Sequence, residues 1–173
     1  MTPLRAETLH TDRLTVLPLR VEHADEMAVV LSDPDLHSFI GGTPETAPDL
    51  RARYARWEAG SPNPGESWCN WAIRLRDGQG GPLTGTLQAT ITADDRGATT
   101  ELAWVVGTPW QRRGIAGEAT RGLVAWLRTL PVHTVLAHIH PDHEASAAVA
   151  AAAGLTPTDE RVDGEVRWRL VID

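Results

Sequence analysis

Short apolar runs alternate with turn signals through the first hundred residues, and a helical stripe takes over after them. Leu14–Leu19 (LTVLPL) reads as a first strand, with Pro18 setting it at an edge or near its end. Val21–Leu31 carries apolar residues at helical spacing and closes on the turn signal Asp33-Pro34-Asp35. Thr46–Ala59 reads as a second helix, rich in arginine on one side. Cys69–Leu75, Leu83–Ala93 and Thr99–Val106 read as strands, joined by Asp77-Gly78-Gln79-Gly80-Gly81 and by Asp94-Asp95-Arg96-Gly97. Both connections are hairpin signals, so the middle of the chain is expected to be an antiparallel meander. Ile115, Ala119, Leu123, Trp126, Leu127 and Leu130 then fall on one stripe of a helix over about 114–130. His133–Ile139 follows as a buried strand, Glu144–Ala153 as a helix ended by Gly154, and Glu165–Ile172 as a last strand. A meander followed by helix, strand, helix and strand predicts an α+β fold. Its central sheet is expected to be mixed and mostly antiparallel, with helices on both faces.

Composition narrows the function classes. The 173 residues are 42% hydrophobic and 23% charged, as in an ordinary globular domain. A chain of this size buries roughly 70% of its surface on folding and needs no staples. Lys and Arg together number 16 against 23 acidic residues, a net charge of −7, which argues against a nucleic-acid partner. Every basic residue is arginine, so Schiff-base, phosphate-loop-lysine and lysine-base mechanisms are excluded. Cys69 is the only cysteine, which leaves neither an intrachain disulfide nor a thiolate metal cluster. Met1–Arg13 lacks the apolar run of a signal peptide, and Ala147–Ala153 is far too short to span a bilayer. A cytoplasmic protein without membrane attachment is the expectation.

The chemistry gathers where the last meander strand hands over to the helical stripe. Gln111-Arg112-Arg113-Gly114-Ile115-Ala116 joins the two. A strand that passes through a glycine turn into a helix leaves the first backbone N–H groups without partners and facing outward. With the positive end of the helix dipole behind them, they make an anion site suited to phosphate. Gly114 lets a ligand approach with no Cβ in the way. From Thr108 to Leu130, Arg112, Arg113, Arg121 and Arg128 stand against Glu118 alone. The local sign opposes the overall one, which favours a polyanionic ligand. A nucleotide-phosphate enzyme would need a Lys-Ser/Thr pair directly after the turn, and none is present.

Gln-Arg-Arg-Gly-Ile-Ala matches, at every defined position, the (Gln/Arg)-x-x-Gly-x-(Gly/Ala) signature of the GNAT superfamily of N-acetyltransferases, which the chain resembles. Pro141-Asp142-His143-Glu144-Ala145-Ser146, followed by Gly154, resembles the Asn-x-x-Ser helix and Gly-Phe ending of the ribosomal-protein N-acetyltransferase-like branch. Thr11-Asp12-Arg13-Leu14 resembles the opening strand of that branch, and Thr100-Glu101-Leu102-Ala103-Trp104 the strand that carries its glutamate. The resemblance spans about residues 11–172 and implies the GNAT acyltransferase fold, with a single N-acetyltransferase domain over residues 1–173. It implies acetyl-CoA as the acyl donor and no metal. The pyrophosphate would lie on Gln111, Arg112, Arg113, Gly114, Ile115 and Ala116, and the pantetheine arm along Trp104, Val105 and Val106. His143 and Ser146 would complete the cofactor contacts. In the family the strand carrying Trp104–Val106 and the strand His133–Ile139 splay apart to admit the thioester. Three positions depart from the pattern. His143 stands where the branch has Asn, Leu155 where an aromatic follows the glycine, and Ala150 where many members carry a tyrosine that protonates the departing thiolate. Ser146 is the nearest substitute for that acid.

An amine must be neutral to attack a thioester, while a lysine-type amine titrates near about 10 and an α-amino group near about 8. Glu101 is the expected base; in a strand it shares a face with Thr99, Ala103 and Val105. Proximity and backbone amides that polarise the carbonyl supply the rest of the rate, with no covalent intermediate. The expected acceptor is a primary amine, on a protein N-terminus or a small molecule. The rival is a non-catalytic acyl-CoA-binding or sensing module of the same fold. His133, His138, His140 and His143 with Asp142 invite a metal reading, but no other segment supplies a further converging ligand. His140, beside the expected thioester channel, is a secondary candidate for a proton relay. Trp104, Trp110 and Trp126 read as packing around the cofactor helix, and Trp57, Trp68 and Trp71 as core or as lining of an acceptor pocket. Glu45, Asp49, Glu58 and Glu66 would suit a cationic acceptor, which Arg51, Arg53 and Arg56 oppose. Oligomeric state stays open, a homodimer included.

Overall fold

A computed structural model describes residues 2–78 and 80–173; Gln79, in the first hairpin connection, and Met1 lie outside them. One eight-stranded sheet runs through these residues. Its strands are β1 (Leu9–His10), β2 (Leu14–Pro18), β3 (Glu66–Leu75), β4 (Leu83–Asp94), β5 (Gly97–Val106), β6 (Val132–Ile139), β7 (Thr156–Val162) and β8 (Glu165–Val171). The spatial order is β1-β2-β3-β4-β5-β6-β8-β7. Only β5 and β6 run parallel; every other neighbouring pair is antiparallel. The helices are α1 (Ala24–Val30), α2 (His37–Ile40), α3 (Ala47–Ala59), α4 (Ile115–Leu127) and α5 (Glu144–Ala152). This is the mixed, mostly antiparallel α+β architecture the pattern predicts.

Strand alternation sorts the two faces. Cys69, Trp71 and Ile73 of β3 and Leu87, Ala89 and Ile91 of β4 pack in one cluster with the α4 stripe Ile115, Ala119, Leu123 and Leu127 and with Ala150 of α5. Burial of each large side chain there is worth about 1.5–3 kcal/mol. On the opposite face Ala24 and Met27 of α1 and Leu50 and Tyr54 of α3 pack on Ala72 and Leu83. Helices therefore cover both faces, α4 and α5 on one and α1 and α3 on the other.

Four local outcomes differ from the sequence reading. The first helix splits into a 3-10 turn, Val21–His23, and α1, because the His23 Nδ1 accepts the Arg20 amide hydrogen at 3.0 Å and fixes a separate entry turn. β3 begins three residues before Cys69, paired with the far end of β4 at Glu66↔Thr92. The α4 helix stops at Leu127 rather than 130, although Leu130 still packs on the core from the following turn. The Thr156–Val162 strand carries no apolar alternation to announce it. It is an edge strand held by β8 alone, which also accommodates Pro157.

The parallel pair interrupts the sheet. β5 and β6 pair from Ala98↔Val132 to Leu102↔Ala137 and no further, although β5 continues to Val106 and β6 to Ile139. Their free ends diverge and leave a gap in the middle of the sheet. No described helix is long and apolar enough to cross a membrane.

Candidate active site

The turn after β5 is built to present amides. A 3-10 turn at Thr108–Trp110 leads to Arg112 at φ 63° and Gly114 at φ 75°, two left-handed residues in three. Such conformations are costly for a residue with a Cβ and routine for glycine. Gly114 caps α4 without a side-chain hydrogen bond, and the first internal bond of the helix runs from the Glu118 N–H to the Gly114 carbonyl at 3.0 Å. Among the described residues, nothing accepts from the amides of Gly114, Ile115, Ala116 and Gly117. With the helix dipole behind them they form an anion cradle. The Gln111 amide is different: it donates to the Thr108 carbonyl at 3.3 Å, and its side-chain Nε2 donates to the Val106 carbonyl at 3.1 Å. Gln111 thus braces the turn from behind.

Glu118 is removed from the charge balance at this mouth. Its carboxylate accepts from the Thr11 hydroxyl, from the Arg13 amide at 2.8 Å and from the Arg13 Nε at 2.7 Å. Burial opposes its ionisation, but these hydrogen bonds and the guanidinium charge outweigh burial and hold it below its ordinary value. Arg13 also places Nη2 3.4 Å from where a Gly114 side chain would begin. The Thr-Asp-Arg-Leu opening, legible as a strand start, therefore anchors the mouth of α4.

The cradle opens into a groove of about 530 Å³. Trp104, Val105, Val106, Gln111, Arg112, Gly114, Ile115, Ala116, His143 and Ser146 all line it. Arg113 does not; its guanidinium lies 5.2 Å from the Trp110 ring centroid. A smaller cavity of about 110 Å³ occupies the β5–β6 gap, walled by Ala103, His138, His140, His143 and Ser146 among others. Ser146 Oγ and His143 Nε2 are 3.4 Å apart, and the His143 ring stacks on Phe39 at 4.3 Å. Burial, and secondarily the charge of His140, keep His143 below its ordinary value of 6.5. Ala150 is fully buried in the core, so the hydroxyl that α5 presents to the gap is that of Ser146.

Glu101 lies on the exposed side of β5, just outside the gap. Its Oε1 is 2.8 Å from His138 Nδ1, and His138 Nε2 is 3.1 Å from Arg167 Nε. An arginine Nε–H only donates, so His138 Nε2 accepts and the imidazole proton sits on Nδ1, donated to Glu101. The second carboxylate oxygen of Glu101 has no partner among the described residues. His133 instead meets Asp94 at 2.8 Å, and His140 Nδ1 accepts the Asp142 amide hydrogen at 3.0 Å.

The segment Pro34–Ile40 was not legible as part of the site, because a 3-10 turn and a four-residue helix carry no periodicity. It closes over groove and gap with Phe39 and Ile40. Thr108 ties it to the turn by donating to Asp33 at 2.7 Å. A third cavity of about 300 Å³ lies on the α1/α3 face and shares the lining residues Ile40, Ala103 and Trp104 with the gap. Trp57 walls it; Trp71 is fully buried in the core instead. A larger depression, about 880 Å³, lies between the Pro3–Ala6 segment and the Ala59–Gly65 loop, away from the turn and the gap.

The family profile of the acetyltransferase (GNAT) domain matches residues 13–156. The chain belongs to the GNAT family. Its fold is that of solved GNAT structures. RimL, a ribosomal alpha-N-protein acetyltransferase in complex with coenzyme A, superposes with a TM-score of 0.77 at 15% identity, covering 96% of this chain and 99% of that one. An acetyltransferase from Agrobacterium tumefaciens gives 0.69 at 26% identity over 98% and 97%. A spermidine N-acetyltransferase from Vibrio cholerae, in complex with CoA and spermine, gives 0.71 at 14% over 92% and 95%. No curated protein sequence matches this GNAT chain.

Proposed function

We propose that the chain is an acetyl-CoA-dependent N-acetyltransferase that moves an acetyl group to a primary amine by direct attack on the thioester, in a single catalytic domain. The observation that carries this reading is the row of amides from Gly114 to Gly117, open to a groove that continues into the β5–β6 gap. The fit is chemical as well as spatial. Amides and Arg112 suit the diphosphate, the β5 end at Trp104, Val105 and Val106 suits an extended pantetheine arm, and the gap suits a thioester. Arg113 and Gln111 serve this arrangement at its rim and from behind. The presence of CoA in the RimL and Vibrio cholerae structures supports the same assignment.

In this reading Glu101 takes the amine proton through a water on its unpartnered oxygen, with His138 orienting the carboxylate. The neutral nitrogen attacks the carbonyl carbon, the carbon–sulfur bond breaks, the nitrogen gives up its second proton to water, and the departing sulfur takes a proton from Ser146, which regains one from solvent. The half-buried imidazole of His143 borders that step. Neither metal nor covalent enzyme intermediate enters, and the reaction runs in an aqueous compartment such as the cytoplasm. The non-catalytic acyl-CoA-binding alternative draws on one observation, the absence of a hydroxyl at Ala150. Glu101→Gln separates the two. It is expected to leave acetyl-CoA affinity unchanged and to slow free-thiol release in the presence of an amine about 10²-fold. Equal thiol release by both proteins would remove Glu101 from the mechanism.

A further inference from the structure

The cavity of about 300 Å³ on the α1/α3 face has the volume of about ten water molecules. Its one lining carboxylate is Glu45, and Arg53 Nη2 already holds Glu45 Oε1 at 2.5 Å. The same guanidinium lies 5.8 Å from the Trp57 ring centroid, so its place is fixed from two sides. The fixed charges of the cavity cancel.

Its neutral polar groups are, by contrast, uncommitted. Tyr54, Thr86 and Gln88 line the wall and hydrogen-bond to no described side chain. Tyr54 is only 1% exposed, yet its hydroxyl is not among the sealed, unpartnered atoms, which belong to Asn70, Arg74 and Thr100. The sliver of surface that Tyr54 keeps therefore includes its hydroxyl. Burial, reinforced by Glu45 and opposed by Arg53, pushes this phenol up to about 12, so it remains a neutral donor and acceptor. Thr86 and Gln88 stand opposite Val105 and Ala103 across the β4–β5 ladder, on the face that leads to the gap. Tyr54 is buried and Thr86 and Gln88 are half-buried, so a ligand that displaces water from the cavity must hydrogen-bond back to them.

We infer that the acceptor is a small primary amine whose remaining body is uncharged, with an aromatic or apolar portion beside Trp57 and a hydroxyl or amide that meets Tyr54, Thr86 and Gln88. The inference rests on the acetyl-transfer reading above and selects within it. A polyamine would bring a second ammonium into a cavity whose carboxylate is already taken, and would leave Tyr54 without a partner.

Tyramine and spermidine are suitable probes, with the full chain, acetyl-CoA and two readouts: free-thiol release and quenching of tryptophan fluorescence by the amine alone. Tyramine is expected to be used with kcat/KM at least about 10-fold above spermidine. Tyr54→Phe should weaken tyramine binding and raise its KM about 5- to 10-fold, with spermidine little changed. Arg53→Gln, at a half-exposed position, should uncover Glu45 and raise spermidine use at least about 3-fold. Preference of the unmodified chain for spermidine, thiol release with neither amine, or indifference of tyramine to Tyr54→Phe would each overturn the inference. If acetyl-CoA itself produces no fluorescence change, the transfer reading fails; if acetyl-CoA binds and spermidine is preferred, only the acceptor class does.

Discussion

The groove and the cavity lie on either side of the same strand end, and they are made of different material. The groove is main chain: amides at the start of α4, presented by a left-handed glycine and backed by a helix dipole. The cavity is side chain: Tyr54 and Trp57 from α3, Thr86 and Gln88 from β4, and Ile40 from the short α2. A backbone site depends on one conformation, and many sequences reach it. A side-chain site depends on which residues meet from distant segments, and it changes with each of them.

The largest expected effect strikes the backbone half alone. Gly114→Val puts a β-branched residue at φ 75° with its Cβ against the Arg13 guanidinium. Left-handed strain costs about 1–2 kcal/mol, so the melting temperature should fall by about 2–8 °C while the fold survives. Acetyl-CoA affinity should drop by about 100-fold or more, with tyramine quenching unchanged. Loss of amine binding in the same variant would mean that the two halves are not separable. Tyr54→Phe is the reciprocal change and the smaller one, since it touches a single hydrogen bond.

The smallest expected effect concerns the support of the turn. Glu118 ionises more readily folded than unfolded, so its contribution is complete above its ordinary value near 4.5 and is lost as pH falls through the lower folded value. Glu118→Gln should therefore melt below the unmodified chain at about pH 7, and the difference should shrink on acidification to about pH 3. A difference that stays constant with pH would show that the Thr11 and Arg13 contacts act without the charge.

The same contrast explains what the sequence made legible. The α4 stripe, the hairpins and the glycine turn are local, because each is set by neighbours within a few residues. From them followed the mixed sheet, the helices on both faces and the open amides at the start of α4. Thr156–Val162 escaped because both of its faces meet water and its polar side chains carry no period. Phe39 escaped because a four-residue helix has no stripe, although it stacks on His143 over the gap. The pairing of Glu45 with Arg53 turns an apparently acidic front into a neutral cavity, and only the fold brings Glu45 onto the α3 face where Arg53 can meet it. The role of Arg13 was hidden in the same way, since its partner Glu118 lies more than a hundred residues on.

On the proposed reading, main-chain N–H groups at the start of α4 hold the diphosphate of acetyl-CoA. Amide proton and nitrogen shifts of the ¹⁵N-labelled chain during a titration with coenzyme A test it residue by residue. The account predicts that the largest downfield amide shifts fall on Gly114, Ile115, Ala116 and Gly117, and that inorganic pyrophosphate at higher concentration reproduces them. Saturable binding of coenzyme A that leaves those four amides unmoved would contradict it.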